Sequence, residues 1–217
     1  MSRLTFNEEN HEYRLDGQII PSVTEVLACI KGEQYKAINP SVLAYARQRG
    51  KEIHEQLEMF DLCGYLEDFP VEILGYLKAY EMFRRTYFPV WEYIEAPVYS
   101  YAVGYSGKLA YAGTVDRAGI VGGRKAVIDI KNIASPTRAD KVSVCAQTAA
   151  YTRAIYGADD RTVKRYGLYL RSDGDFTLLD CEEFEGKNEF DPFALFDRCL
   201  FFYTDIKRLT EPRKRGK

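Results

Sequence analysis

Gly122-Gly123 sits between two strand-like runs, one ending at Val121 and the other running from Lys125 to Lys131. Two adjacent glycines reach the positive φ values that a two-residue hairpin turn needs, so this dipeptide is the strongest local constraint in the chain. If the two glycines form the loop, Val121 faces Arg124. Counting back from there sets Asp116 opposite Asp129 and Thr114 opposite Lys131. Directly opposed side chains have Cβ atoms about 4.5–5.5 Å apart. Asp129 and Lys131 are two apart and share a face. A register slip of one residue would cancel the coincidence. In this register two carboxylates and one ammonium group meet on one face of one hairpin.

Like charges opposite each other destabilise a strand pair, and neighbouring carboxylates repel or share a proton. A divalent cation between them removes the conflict. Carboxylate oxygens are hard ligands, which favour Mg²⁺ or Mn²⁺. Lys131 beside such an ion is placed to orient water or to stabilise charge developing on a phosphate. The apolar run Ala126-Val127-Ile128 predicts a central strand that holds these ligands rigidly.

Around the hairpin the chain reads as one domain, residues 1–217. Leu4–Phe6 and Tyr13–Leu15 predict a short hairpin, closed by Asp16-Gly17. Ser22 and Glu25 form a capping-box pattern for a helix through Cys29. Helical spacing runs over 41–60, with a break at 61–70, and again over 71–87. Residues of about 22–88 are thus expected to form an N-terminal helical sub-lobe. Residues of about 90–182 are expected to form a sheet core: strands at 90–101, 111–121, 125–131, 163–170 and 176–181, with a helix over 137–156. A final helix spans 192–209. This order predicts an α/β (α+β) fold, a mixed central sheet flanked by helices.

The 217 residues carry a formal net charge of −2, so bulk charge does not drive tight binding to nucleic acid. Any phosphate contact has to come from local basic groups or bound metal. The five cysteines are scattered, with no CxxC pair, and read as buried free thiols in a reducing, cytoplasmic setting. No segment approaches the roughly 20 apolar residues of a membrane span, so no membrane partner is expected. Tyrosine is abundant, at 17 residues. Tyr35, Tyr45, Tyr65, Tyr76 and Tyr80 are candidates for stacking on bases, although most of them are expected to be helix-packing residues.

The segment GTVD (Gly113–Asp116), followed after a strand-turn-strand by DIK (Asp129–Lys131), resembles the split signature of the PD-(D/E)XK nuclease superfamily. Arg49-Gly50 with His54 resembles the RG-x-x-x-H helix of its RecB-like exonuclease branch. Gln147 to Tyr151 resembles that branch's Q-x-x-x-Y helix. Pro21-Ser22-Val23-Thr24 is similar to the opening of mitochondrial genome maintenance exonuclease-like and phage members. These motifs occur in the family's order over about residues 20–155. The resemblance implies a restriction-endonuclease-like fold and a Mg²⁺- or Mn²⁺-dependent DNA exonuclease, acting on ends or single strands in recombination or repair, in a bacterial or phage-infected cell. His54, Asp116 and Asp129 would ligate metal with the Ile130 carbonyl. Lys131 would be the catalytic lysine. Gln147 and Tyr151 would face the DNA backbone or position the site, and Glu95 would be a supporting acid.

Each role has a plainer counterpart. His54 would bond Glu58 one turn on, Gln147 and Tyr151 would form an ordinary i, i+4 pair, and Glu95 would be a solvated strand acid. The proline of the family's name is missing here, since Thr114-Val115 precedes Asp116. The late cysteine group of the cluster-bearing members is also missing, so no iron–sulfur cluster is expected. A zinc-protease helix starting at His54 would need a second histidine where Glu58 stands. The non-enzymatic alternative is an inactive nucleic-acid-binding or assembly module on the same fold. Basic candidates for phosphate contact are Arg47, Arg49, Lys51, Arg84, Arg85, Arg138 and Lys141.

Overall fold

A computed structural model describes residues 3–32, 39–64, 68–104, 107–157 and 159–210. Two sheets organise the chain: a three-stranded antiparallel sheet at the N-terminus and a five-stranded mixed sheet in the order β4-β5-β6-β7-β8. Strands β1 (Leu4–Asn7) and β2 (Glu12–Leu15) pair as expected. The Asp16-Gly17 turn then leads into a third strand, β3 (Gln18–Ile20), that the hairpin reading did not include. This small sheet is tied to the large one: Ala112 donates its N–H to the Pro21 carbonyl at 3.0 Å, and the Tyr13 hydroxyl bonds that of Thr114 at 2.8 Å.

Helix α1 (Val23–Lys31) starts at Ser22 with both bonds of the capping box present. Helix α2 (Pro40–Cys63) begins on the Asn39 cap and ends at Gly64, whose φ of 77° gives the left-handed stop. It therefore runs past Phe60, and Asp61, expected in a break, lies in its last turn. A 3₁₀ turn (Val71–Ile73) leads into α3 (Leu74–Tyr87).

The large sheet holds β4 (Val90–Gly104), β5 (Gly107–Val121), β6 (Arg124–Lys131), β7 (Lys164–Leu170) and β8 (Phe176–Asp180). All neighbours are antiparallel except β6 and β7, which run parallel. A parallel pair needs a crossover, supplied by α4 (Arg138–Tyr156) under a Thr137–Asp140 capping box. The expected strand over 176–181 stops one residue early. The Asp180 side chain caps the Glu183 N–H at 3.1 Å and starts α5 (Cys181–Asn188). Helix α6 (Pro192–Thr210) closes the described chain.

Both faces of the large sheet are covered. One buried cluster joins Val127 and Ala118 to α1, α4 and α6 through Leu27, Ala150 and Phe196. The other joins Ile128 and Ile130 to α2 and α3 through Ile53, Leu57, Tyr80 and Phe83. Val127 and Ile128 thus enter opposite clusters, which is why β6 is apolar on both sides. The sub-lobe approaches the sheet closely at Gly75, where an added Cβ would fall 1.8 Å from the Ser172 carbonyl oxygen. The mixed α/β class agrees with the sequence reading. No described helix is long and apolar enough to cross a membrane.

Candidate metal centre

Three neighbouring strands and two helices bring their polar groups together at one end of β6. The β5–β6 register runs from Val121↔Arg124 to Arg117↔Ile128, in phase with the hairpin count. One step further, Asp116 departs from strand pairing. Its Oδ2 accepts the Ile130 N–H at 2.6 Å, in the place of a strand carbonyl. The strands separate beyond this point, so Thr114 does not face Lys131 as counted. It pairs with Pro97 on β4 and bonds Tyr13. The Lys131 ammonium donates to Asp129 Oδ1 at 2.7 Å, confirming that these two side chains share a face. The second oxygen, Asp129 Oδ2, is buried with no hydrogen-bond partner.

Across β4, Glu95 lies between the pairs Ile94↔Arg117 and Ala96↔Val115 and adopts a φ of 40°. For a residue other than glycine this backbone costs on the order of 1–3 kcal/mol and marks a local constraint. Strict alternation also fails on β5, where Val115 and Ala118 enter the same buried cluster although three apart. Glu95 Oε1 lies 3.0 Å from His54 Nδ1 on α2. His54 Nδ1 is 4.0 Å from Asp116 Oδ1. One donor atom from each of His54, Glu95 and Asp116 fits within 4.8 Å of the others. His54 is therefore paired with Glu95, 41 residues away, and not with Glu58.

The electrostatics follow from burial. Asp129 is fully buried and its carboxyl is pushed up to about 6. Burial is the main cause, with Asp116 adding to it and Lys131 opposing it. Asp116 is raised by burial and by Glu95, against His54 and Lys131. Burial pulls His54 and Lys131 down, but the surrounding carboxylates outweigh it and hold both above their ordinary values. The protein by itself thus holds protons in this cluster to limit its negative charge. A divalent cation would do the same work and release them. The close group His54, Glu95 and Asp116, carboxylate oxygens with one imidazole, fits such an ion. Asp129 is not part of that group; its unpaired Oδ2 is buried, with Lys131 on the other oxygen.

Helix α4 supplies the remaining expected residues. Gln147 Nε2 reaches Tyr151 Oη at 3.4 Å, and both side chains are buried. Burial raises the Tyr151 hydroxyl well above its ordinary value, and the Asp116 and Asp129 charges add to this, so it stays a phenol. Its ring lies against Gly113, where an added Cβ would come within 2.8 Å. Gln147 also lines an open cleft of about 310 Å³ with Lys131, Ser143, Thr24 and Leu27. A second opening of about 560 Å³ lies on the His54 side, lined by Glu55, Glu58, Glu95 and Lys51.

Several residues expected to contact bases or phosphate are buried or have partners within the protein. Tyr80 is fully buried, and its hydroxyl donates to Asp61. Tyr76 is buried and Tyr45 exposed, while Tyr35 and Tyr65 lie outside the described residues. Arg84 is bound to Asp61 at 2.7 Å, Arg85 to Glu81 at 2.6 Å and Lys51 to Glu55 at 3.4 Å. Cys29 and Cys63 are exposed free thiols, in contrast to buried Cys145, Cys181 and Cys199. The sequence reading missed Arg117 and Asp61 altogether. A cation directly after Asp116 on an expected strand was the available signal, since such a group needs a partner if buried.

No protein-family model matches the chain, and no curated protein matches it. Among solved structures it is similar to one described as "Crystal structure of SSO0001". The two share 15% identity over 90% of this chain and 86% of that chain, with a TM-score of 0.43. At that TM-score the likeness carries no argument about the chemistry of the site.

Proposed function

We propose that this chain is a Mg²⁺- or Mn²⁺-dependent nuclease of the PD-(D/E)XK type on a restriction-endonuclease-like fold. It hydrolyses phosphodiester bonds in DNA, acting on ends or single strands. One observation carries the reading: Asp129 is a buried carboxylate with Lys131 on one oxygen and nothing on the other, next to the buried carboxylate of Asp116. A buried acceptor left unpaired is costly, and an ion is the partner it lacks.

His54, Asp116, Asp129 and the Ile130 carbonyl hold the ion in this reading. When bound, it supplies Lewis-acid polarisation of a phosphoryl oxygen and acidifies a water molecule. Lys131 keeps its proton, positions the attacking water and offsets charge that develops on the phosphate. Gln147 borders the cleft beside Lys131 and orients the DNA backbone there. Tyr151 remains neutral and braces Gln147. The carboxylate-lined opening around Glu55 and Glu58 repels phosphate, so the DNA backbone enters from the Gln147 side.

The test is digestion of end-labelled single-stranded and duplex DNA with Mg²⁺, with Mn²⁺ and with EDTA. Laddering from one end that needs metal supports an exonuclease and gives its polarity. DNA binding without cleavage of any linear or circular substrate overturns the enzyme and leaves a binding module.

A further inference from the structure

Beneath the metal centre lies a charged network that none of the roles above uses. Arg117 follows Asp116 on β5 and is fully buried. Its Nε donates to Asp61 Oδ2 at 2.6 Å, across 56 residues of chain. Its Nη1 donates to Glu95 Oε1 at 2.9 Å and to the Asp116 carbonyl at 2.6 Å. The Asp61 side chain is fully buried too, and it accepts from the Tyr80 hydroxyl and from Arg84 Nη1 at 2.7 Å. One guanidinium therefore grips the backbone of one candidate ligand, the side chain of a second acid and the last turn of α2.

The consequence reaches His54. Glu95 Oε1 is shared between Arg117 Nη1 and His54 Nδ1. Glu95 thereby ties down the His54 ring, whose Nδ1 stands 4.0 Å from Asp116 Oδ1. Glu95 holds this place with a φ of 40°, a backbone that persists only where surroundings over-determine it. The surroundings here are Arg117, and Arg117 is held in turn by Asp61.

We propose that Arg117 and Asp61 are positioning residues of the metal centre. They act through Glu95 to fix the orientation of His54, and through the Asp116 carbonyl to fix the strand that bears Asp116. This rests on the metal-dependent reading above. It adds that the helical sub-lobe tunes the site: Asp61 and His54 stand on the same helix, one at the end of the relay and one at its head.

The test uses the full chain with Asp61→Asn, Arg117→Lys and Tyr80→Phe beside wild type. Mn²⁺ binding is read by electron paramagnetic resonance, and cleavage is read over a Mn²⁺ titration. Partners of metal ligands of this kind change affinity by about 10- to 100-fold. Asp61→Asn and Arg117→Lys should raise half-saturating Mn²⁺ by about tenfold or more in both readouts, with KM for DNA at saturating Mn²⁺ unchanged. Tyr80→Phe removes a single hydroxyl and should shift half-saturation in the same direction by a few-fold, even if the other two variants fail to fold. A network that only stabilises the fold would lower the melting temperature and leave half-saturation unmoved in folded protein, which overturns the proposal. Mn²⁺ binding by wild type without cleavage sinks the nuclease reading alone, and the binding titration still decides the positioning role. Wild type that neither binds Mn²⁺ nor cleaves overturns both.

Discussion

Asp116 Oδ2 accepts the backbone N–H of Ile130 at 2.6 Å. A side chain thus takes the place of a strand carbonyl at the point where β5 and β6 part, and the two acidic strands are locked at the candidate metal centre. Loss of that acceptor would leave a buried N–H unpaired as well as removing a ligand. Asp116→Asn keeps one oxygen of the same shape. It should abolish metal-dependent cleavage while costing about 1–3 kcal/mol or less in stability. Chemical denaturation run beside the cleavage assay separates the two effects.

Lys131 is the group whose removal should be most selective for chemistry. Lys131→Ala removes a largely buried ammonium that pairs with Asp129. Cleavage at saturating Mg²⁺ should fall by about 10²–10³-fold, the usual cost of losing a group that stabilises transition-state charge. Mn²⁺ binding should persist. Equal activity in the variant would remove Lys131 from the mechanism.

The pH dependence follows from Asp129, whose carboxyl is raised from 3.8 to about 6 by burial. A folded value above the unfolded one means that its contribution to metal-free stability is complete below about 3.8. That contribution is lost as pH rises through about 6. Metal needs the carboxylate form, so the gain in melting temperature on adding Mn²⁺ should be small at pH 5 and grow through pH 6 to 7. His54 is held above its ordinary value and also has to lose its proton to ligate, which pushes in the same direction. A metal-induced gain that is flat between pH 5 and pH 8 would contradict the assignment of Asp129.

Gly113 has no room for a methyl group, because its Cβ would lie 2.8 Å from the Tyr151 ring and 2.9 Å from its hydroxyl. Gly113→Ala should cost about 1–3 kcal/mol from overpacking and displace Tyr151 from Gln147. Activity per folded molecule should fall with it. Urea denaturation and a cleavage assay at matched folded concentration check both parts.

Away from the site, Arg165 and Glu185 form a buried two-bonded ion pair at 2.6 and 2.7 Å. Glu185→Ala leaves the guanidinium buried and unpaired and should destabilise by about 3–5 kcal/mol. Mn²⁺ half-saturation should not move in the protein that remains folded. A shift in metal affinity would show that this pair also reaches the metal centre.

The sequence by itself determined what depends on near neighbours. Gly122-Gly123 set the turn and the phase of the hairpin. Ser22 with Glu25 and Thr137 with Asp140 set the starts of α1 and α4 through bonds that close within one turn. The apolar run 126–128 marked the central strand, because a strand covered on both faces has no polar positions to alternate. The convergence of Asp129 and Lys131 came from the same period of two.

Tertiary structure decided the rest. No local pattern could show that Asp116 would leave the ladder to take the Ile130 N–H, nor that Glu95 would hold a φ of 40°. Asp61 looked like a residue in a break, since its role depends on α2 running on to Cys63 and on Arg117 arriving from a strand 56 residues away. His54 joined Glu95 and not Glu58 for the same reason. A buried charge takes whichever partner the packed elements deliver, and that choice is made by how α2 lies against the sheet.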